Sequence, residues 1–195
     1  MTRAFERQYD EEAYLFDVVG PQFRQTGNLD AYAFFFIVRW KANRAISKIA
    51  RRLIQAIGSD LEKAAADLGR DVFRAKDACE RFRILSTKWR LRLPMASAIL
   101  TVLYPDEFTV YDSRVCKELD RFHDLHLRHN VGDRWSGYLE FKATVERSTP
   151  AGLSLRDKDR YLWARSRHKA LEHGIATCFR RENGAAEQGD EADEA

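Results

Sequence analysis

Cysteine is scarce in this chain of 195 residues: Cys79, Cys116 and Cys178 are odd in number and widely scattered. Such a set supports neither a disulfide framework nor a Cys-x-x-Cys metal knuckle, so the three read as small core residues or inert surface thiols. No cofactor, metal or iron-sulfur cluster is expected. Long apolar runs are missing too. The longest, Ala31 to Val38, has eight residues, far fewer than the roughly 20 a helix needs to cross a bilayer. The polar start MTRAFERQYDEE lacks a signal-peptide pattern. A cytoplasmic chain with no membrane partner is therefore expected. Strict alternation of apolar and polar residues is almost absent, which argues against β architectures, and no internal repeat is visible.

What is present suits a globular fold. Apolar residues make up 45% of the chain and charged residues 32%, and the length fits one compact domain or two small helical lobes sharing a core. Charge is unevenly placed. The last fourteen residues, ENGAAEQGDEADEA, hold six acids and no base, so removing them raises the formal charge from +3 to +9. A domain this basic over residues 1–181 is suited to a polyanion, of which nucleic acid is the commonest, although a solvated basic surface would look the same. The tail, 182–195, is expected to be disordered and to compete weakly for the basic face.

Helical periodicity recurs throughout and predicts an all-α protein. A first helix is expected from Arg3 to Val19, stopping before Gly20-Pro21. Asn28 or Thr26 can cap a second through AYAFFFIVRW, buried on most sides. RAISKIARRLIQAIG turns Ile46, Ile49, Ala50, Leu53, Ile54 and Ile57 inward and ends at Gly58. Ser59 and Glu62 suggest a capping box for DLEKAAADLG, with a stop at Gly69. DVFRAKDACERFRIL follows, then a helix with Pro94 in its first turn, running to Tyr104-Pro105. Further helices are expected from Ser113, over DRWSGYLEFKATVER, and over SLRDKDRYLWARSRHKALEH with Ser154 as cap. Between the first two of these, HDLHLRHNVGD reads as a loop whose His123, His126 and His129 lack the continuity that a metal site needs.

The stretch from Arg81 to Asp112 reads helix, tight turn RLR, apolar helix, short extended run, aspartate. This layout resembles the helix-hairpin-helix DNA glycosylase superfamily of endonuclease III, MutY and AlkA. There a glycine-bearing hairpin leads into an apolar helix, and an aspartate follows about eighteen residues after the lysine of the lyase members. Asp112 stands eighteen residues beyond Pro94, and Val110 to Val115 resembles the family's V-D-x-x-V signature. The likeness covers about Ala31 to Leu119, with the hairpin and catalytic region at 81–119.

The resemblance implies a compact multi-helix fold around a cleft and a monomer acting on double-stranded DNA. It also implies a flipped base whose N-glycosidic bond is cut with Asp112 as the catalytic carboxylate. Two departures stand out. Arg90 and Arg92 occupy the places of the hairpin glycines, and Pro94 replaces the lyase lysine, leaving the hydrolytic, monofunctional route. Lys41 becomes the alternative amine if desolvation makes it nucleophilic.

A lone carboxylate suits this chemistry because breaking the bond builds positive charge on the sugar, which a fixed anion stabilises while it orients water. The same Asp112 is equally readable as the cap of the next helix. Lys88, Arg90, Arg92, Met95, Ala96, Ser97 and Arg114 are the expected DNA-contacting positions. Trp40, Arg44, Tyr111, Asp159 and Trp163 are the expected pocket residues. For the tryptophans a core role, and for the cations a solvated helix end or turn, remain open. The function classes left are a glycosylase for a damaged or modified base, in repair or against foreign DNA, and a non-catalytic DNA-binding module.

Overall fold

The computed structural model describes residues 8–58 and 60–178, and among these every regular element is helical. The expected helix start at Arg3, the Ser59 cap, the Cys178 side chain and the acidic tail 182–195 lie outside the described residues. The chain runs α1 (Glu11–Tyr14), a π-helical turn (Leu15–Val19), α2 (Gly20–Thr26), α3 (Ala31–Ala42) and a 3-10 turn (Asn43–Ala45). It continues through α4 (Ile46–Ile57), α5 (Leu61–Arg74), α6 (Ala78–Thr87), α7 (Leu93–Leu103) and α8 (Ser113–Leu119). A second 3-10 turn (Leu125–Leu127) precedes α9 (Val131–Arg147) and α10 (Leu155–Cys178). None of these helices is long and apolar enough to cross a membrane.

Aspartate sets most of the helix starts. Asp10, Asp30, Asp60, Asp77 and Asp112 each cap a helix by accepting a backbone amide with a side-chain oxygen, and Asn130 does the same for α9. Asp30 rather than Asn28 or Thr26 therefore begins α3; the Thr26 hydroxyl instead donates to Gln22 O at 2.8 Å and accepts from Asn28 N at 3.1 Å. Ser154 caps α10 as expected, accepting from Asp157 N at 3.1 Å.

Three other expectations fail for packing reasons. The first helix does not stop at Gly20-Pro21 but continues to Thr26, because the wider π turn lies directly before the proline, where a regular ladder would lose a bond. Gly20 serves contact there: a Cβ on it would sit 2.5 Å from Val102 O, so glycine lets α2 rest on α7. Gly69 likewise does not end α5, and a Cβ there would fall 2.7 Å from the Leu29 Cβ. The break comes later. The Asp77 side chain takes Glu80 N at 2.8 Å, dividing DVFRAKDACERFRIL between α5 and α6. On α4, Ile49 and Leu53 are buried but Ile54 is 42% exposed, so the inward face is narrower than the periodicity suggested.

At the centre lies α7, every residue of which except Pro94 is buried. It packs against α2, α3 and α6, while α10 packs on α8 and α9. A single cluster of buried side chains extends from Leu15 to Leu162. Beyond α7 the chain turns at Tyr104-Pro105 and runs without regular structure to Asp112, delivering that residue to the start of α8.

Gly20→Ala is expected to lower unfolding free energy by about 1–3 kcal/mol through overpacking against α7. Gly174→Ala, on the open side of α10 with nothing within 4 Å of the added Cβ, is expected to raise it by up to about 1 kcal/mol. Urea denaturation of both variants measures the contrast.

Candidate functional site

The short segment from Thr109 to Tyr111 belongs to no helix and has no neighbouring strand among the described residues, so side chains from three helices satisfy it. From α9, the Tyr138 hydroxyl accepts from Thr109 N at 2.9 Å and donates to Thr109 O at 2.8 Å. From α10, Asp159 Oδ2 accepts from the Thr109 hydroxyl at 3.0 Å and from Val110 N at 3.1 Å. From α7, the Ser97 hydroxyl accepts from Tyr111 N at 2.9 Å. All four groups are buried. The next residue, Asp112, is thereby placed by a fixed backbone.

Asp112 differs from the other capping aspartates. Asp10, Asp30, Asp60 and Asp77 are exposed, accept from the amide three residues on, and have no ion pair among the described residues. Asp112 is turned inward, accepts from Arg114 N at 2.9 Å with Oδ1, and receives the Lys41 ammonium on Oδ2. The two side chains are only 13% and 21% exposed, Lys41 and Asp112 respectively. Burial pushes the Asp112 carboxyl up, but the Lys41 ammonium, by charge and hydrogen bond, and Arg114 outweigh it, holding the group below the ordinary carboxylate range. It is an anion at neutral pH.

Two cavities share this pair. The larger, about 420 Å³, is lined by Trp40, Lys41, Asp112, Arg156, Asp159 and Trp163 among others, within the range of about 300–1,000 Å³ usual for small-molecule sites. The smaller, about 260 Å³, is lined by Lys41, Tyr111, Asp112, Cys116, His123 and His126, with Pro94 and Ser113. In the larger cavity the Arg156 guanidinium bridges two carboxylates, donating to Asp159 and, at 2.6 and 3.0 Å, to Glu12. It also lies 5.2 Å from the Trp40 ring centre. Asp159 is 2% exposed, and burial pushes its carboxyl up to about 6 against the pull of Arg156 and its two hydrogen bonds. In the smaller cavity burial pushes the Cys116 thiol up to about 11, which leaves it unreactive at neutral pH.

Of the residues singled out from sequence, Trp40, Lys41, Asp112, Asp159 and Trp163 meet around one cavity. Tyr111 faces the other, its hydroxyl donating to Phe122 O at 2.5 Å. Arg44 is exposed and lines neither. Met95, Ala96 and Ser97 are buried at 7%, 0% and 0% exposure, so their side chains belong to the core and are closed to DNA. Lys88 is held by Asp71 at 2.6 Å, which also accepts from the indole of buried Trp89 at 3.0 Å. Arg90 and Arg92 are exposed, and Arg90 adopts the left-handed backbone, φ 52°, that a glycine would take without strain. Arg114 is exposed and lies 5.9 Å from the Trp163 ring.

Sequence reasoning missed Arg156, Glu12 and Tyr138. The spacing of Arg156 and Asp159, three apart on one helix, was a usable signal. The Glu12 contact, made across 144 residues, left none.

The two aspartates of the larger cavity are expected to titrate apart, with Asp159 near 6 and Asp112 below the ordinary range. Starting from an unfolded value of about 3.9, Asp159 contributes stability below that value and loses it as pH rises through about 6. Asp112 contributes above the unfolded value and loses it only as pH falls through its depressed one. Carboxyl carbon NMR across pH 2 to 8 checks both, and Lys41→Met is expected to move the Asp112 midpoint upward while leaving Asp159 in place. The chain matches no protein-family model, no curated protein and no solved structure, so the meaning of the Lys41 and Asp112 pair rests on its own geometry.

Proposed function

We propose that the larger cavity holds a base extruded from double-stranded DNA and that Asp112 drives hydrolysis of its N-glycosidic bond, as in a monofunctional DNA glycosylase. The observation that carries this reading is the exceptional state of Asp112. Among the described residues, of the five capping aspartates it alone is drawn inward, held by an ion pair and shared between the walls of two cavities. A cap needs none of these features.

The chemistry follows from that placement. As the bond between the sugar carbon and the base nitrogen lengthens, its electron pair leaves with the base and positive charge builds on the sugar. A fixed carboxylate beside it stabilises that charge and orients the attacking water, which gives up its proton to solvent once the new bond to the sugar carbon has formed. Trp40 and Trp163 offer aromatic surface for the base. Arg156, held between Glu12 and Asp159, presents a fixed polar edge that discriminates among bases. The basic excess of the chain outside its tail supports a polyanionic substrate.

A second reading is favoured by the Lys41 contact itself. In it the amine, its proton passed to Asp112, attacks the sugar carbon and the base leaves with the electron pair of the broken bond; the ring C–O bond then opens, its oxygen taking a proton, to give a Schiff base. The depressed proton affinity of Asp112 makes it a poor base at neutral pH, which places the hydrolytic route first.

Duplexes carrying a panel of damaged and modified bases, incubated with the protein and treated with alkali, are expected to break at one class of base. Asp112→Asn keeps an oxygen for the Arg114 amide and so keeps the cap. Its expected loss is about 10²–10³-fold in single-turnover rate, the usual effect of removing one preorganised electrostatic group. Breaks that persist in this variant contradict the role given to Asp112. Breaks without alkali, with a borohydride-trapped adduct lost in Lys41→Ala, establish the second reading instead. No release from any duplex leaves a non-catalytic DNA-binding module.

A further inference from the structure

Charge is segregated along this chain in a way that excision chemistry does not require. From Arg39 to Ile57 there are six cations and no acid. Arg39 pairs with Glu11 and Lys41 with Asp112. Arg44, Lys48, Arg51 and Arg52 have no acidic partner among the described residues, and the contact made by this group is Arg51 Nε to Ser47 O at 3.4 Å. Elsewhere cations are more often tied down: Lys63 and Arg70 by Asp67, Lys88 by Asp71, Arg165 and Lys169 by Glu118.

Position adds to charge. Ile49 and Leu53 are buried and fasten α4 to the body, which leaves Lys48 and Arg51 exposed three apart on one face of α4, with Arg44 exposed in the 3-10 turn that leads into it. The row covers about 10 Å of helix, the axial length of about three nucleotides on one strand. It begins three residues after Lys41, whose side chain lines both cavities. The turn before α7, by contrast, is poorly equipped to hold a phosphate. Pro94 has no amide, and the Met95 and Ala96 amides are already bonded to Arg92 O at 3.0 and 2.9 Å.

We infer that the exposed face of α4, led by Arg44, Lys48 and Arg51, is the principal phosphate-binding surface of the protein and carries one strand of a DNA duplex past the Lys41 and Asp112 cavity. The inference rests on the reading of DNA as substrate and adds where the duplex is held. Each phosphate neutralised releases condensed counterions, so each contact appears in the salt dependence of affinity as a slope of about 0.9.

The test is fluorescence anisotropy with an unmodified DNA duplex between about 50 and 200 mM salt, which requires no base release. The triple variant Arg44→Ala, Lys48→Ala, Arg51→Ala is expected to lose about 2.7 units of slope and at least tenfold in affinity, with unchanged thermal midpoint. The double variant Arg90→Ala, Arg92→Ala is expected to lose less. A triple variant that binds like the parent, or a double variant that loses more, overturns the assignment. So does equal α4-dependent binding of polyglutamate or of anionic phospholipid vesicles, which shows a surface for any polyanion. Duplex affinity lost with α4 in a protein that releases no base upholds the surface and fails the excision reading. Base release with affinity untouched by the α4 changes does the reverse.

Discussion

A buried stretch of irregular backbone inside a helical protein is the constraint on which the rest of this structure depends. Thr109, Val110 and Tyr111 have no ladder to join, and leaving their buried amides unbonded would cost about 1–3 kcal/mol each. Tyr138, Asp159 and Ser97 answer from three different helices. The consequence reaches past stability. Three helices, α7, α9 and α10, are tied to one segment, and the residue at its end is held beside them.

That residue gains its character from its neighbours. A capping aspartate is ordinarily a solvated group worth about 1 kcal/mol to its helix. Asp112 has been taken partly out of water, and the opposing charge of Lys41 more than compensates for desolvation, so it stays ionised. Asp159, within the same cavity wall, is moved the opposite way by deeper burial. One cavity thus contains two carboxyls with divergent proton affinities, an arrangement typical of sites that handle charge or protons.

Much of this was legible in the sequence. Helical periodicity and capping residues gave the all-α reading and most helix positions, and the run from Val110 to Arg114 singled out Asp112 by residue type and place. Trp40, Asp159 and Trp163 were recognisable as aromatic and acidic residues beside amphipathic helices. What was not legible is what three-dimensional packing decides. Lys41 and Asp112 are 71 residues apart, and no local pattern records that they touch. Gly20 and Gly69 look like helix stops, yet each is small because another segment lies against it. In RLR arginines stand where the resemblance puts the hairpin glycines, and Arg90 takes the left-handed conformation itself, at a cost of roughly 1–2 kcal/mol. Met95, Ala96 and Ser97 were placed at a DNA surface by analogy of position, whereas the helix they belong to, buried at every residue but Pro94, is the centre of the core.

The central claim is that Asp112 is an anion fixed to meet positive charge on a sugar. Its most direct measurement compares affinities for two duplexes that differ only at an abasic-site mimic, one with a cationic pyrrolidine ring and one with a neutral tetrahydrofuran. A carboxylate complementary to the transition state favours the cation by about 100-fold or more, and Asp112→Asn abolishes that preference while both duplexes still bind. Equal affinities in the parent protein, or a preference that survives the substitution, would contradict the account.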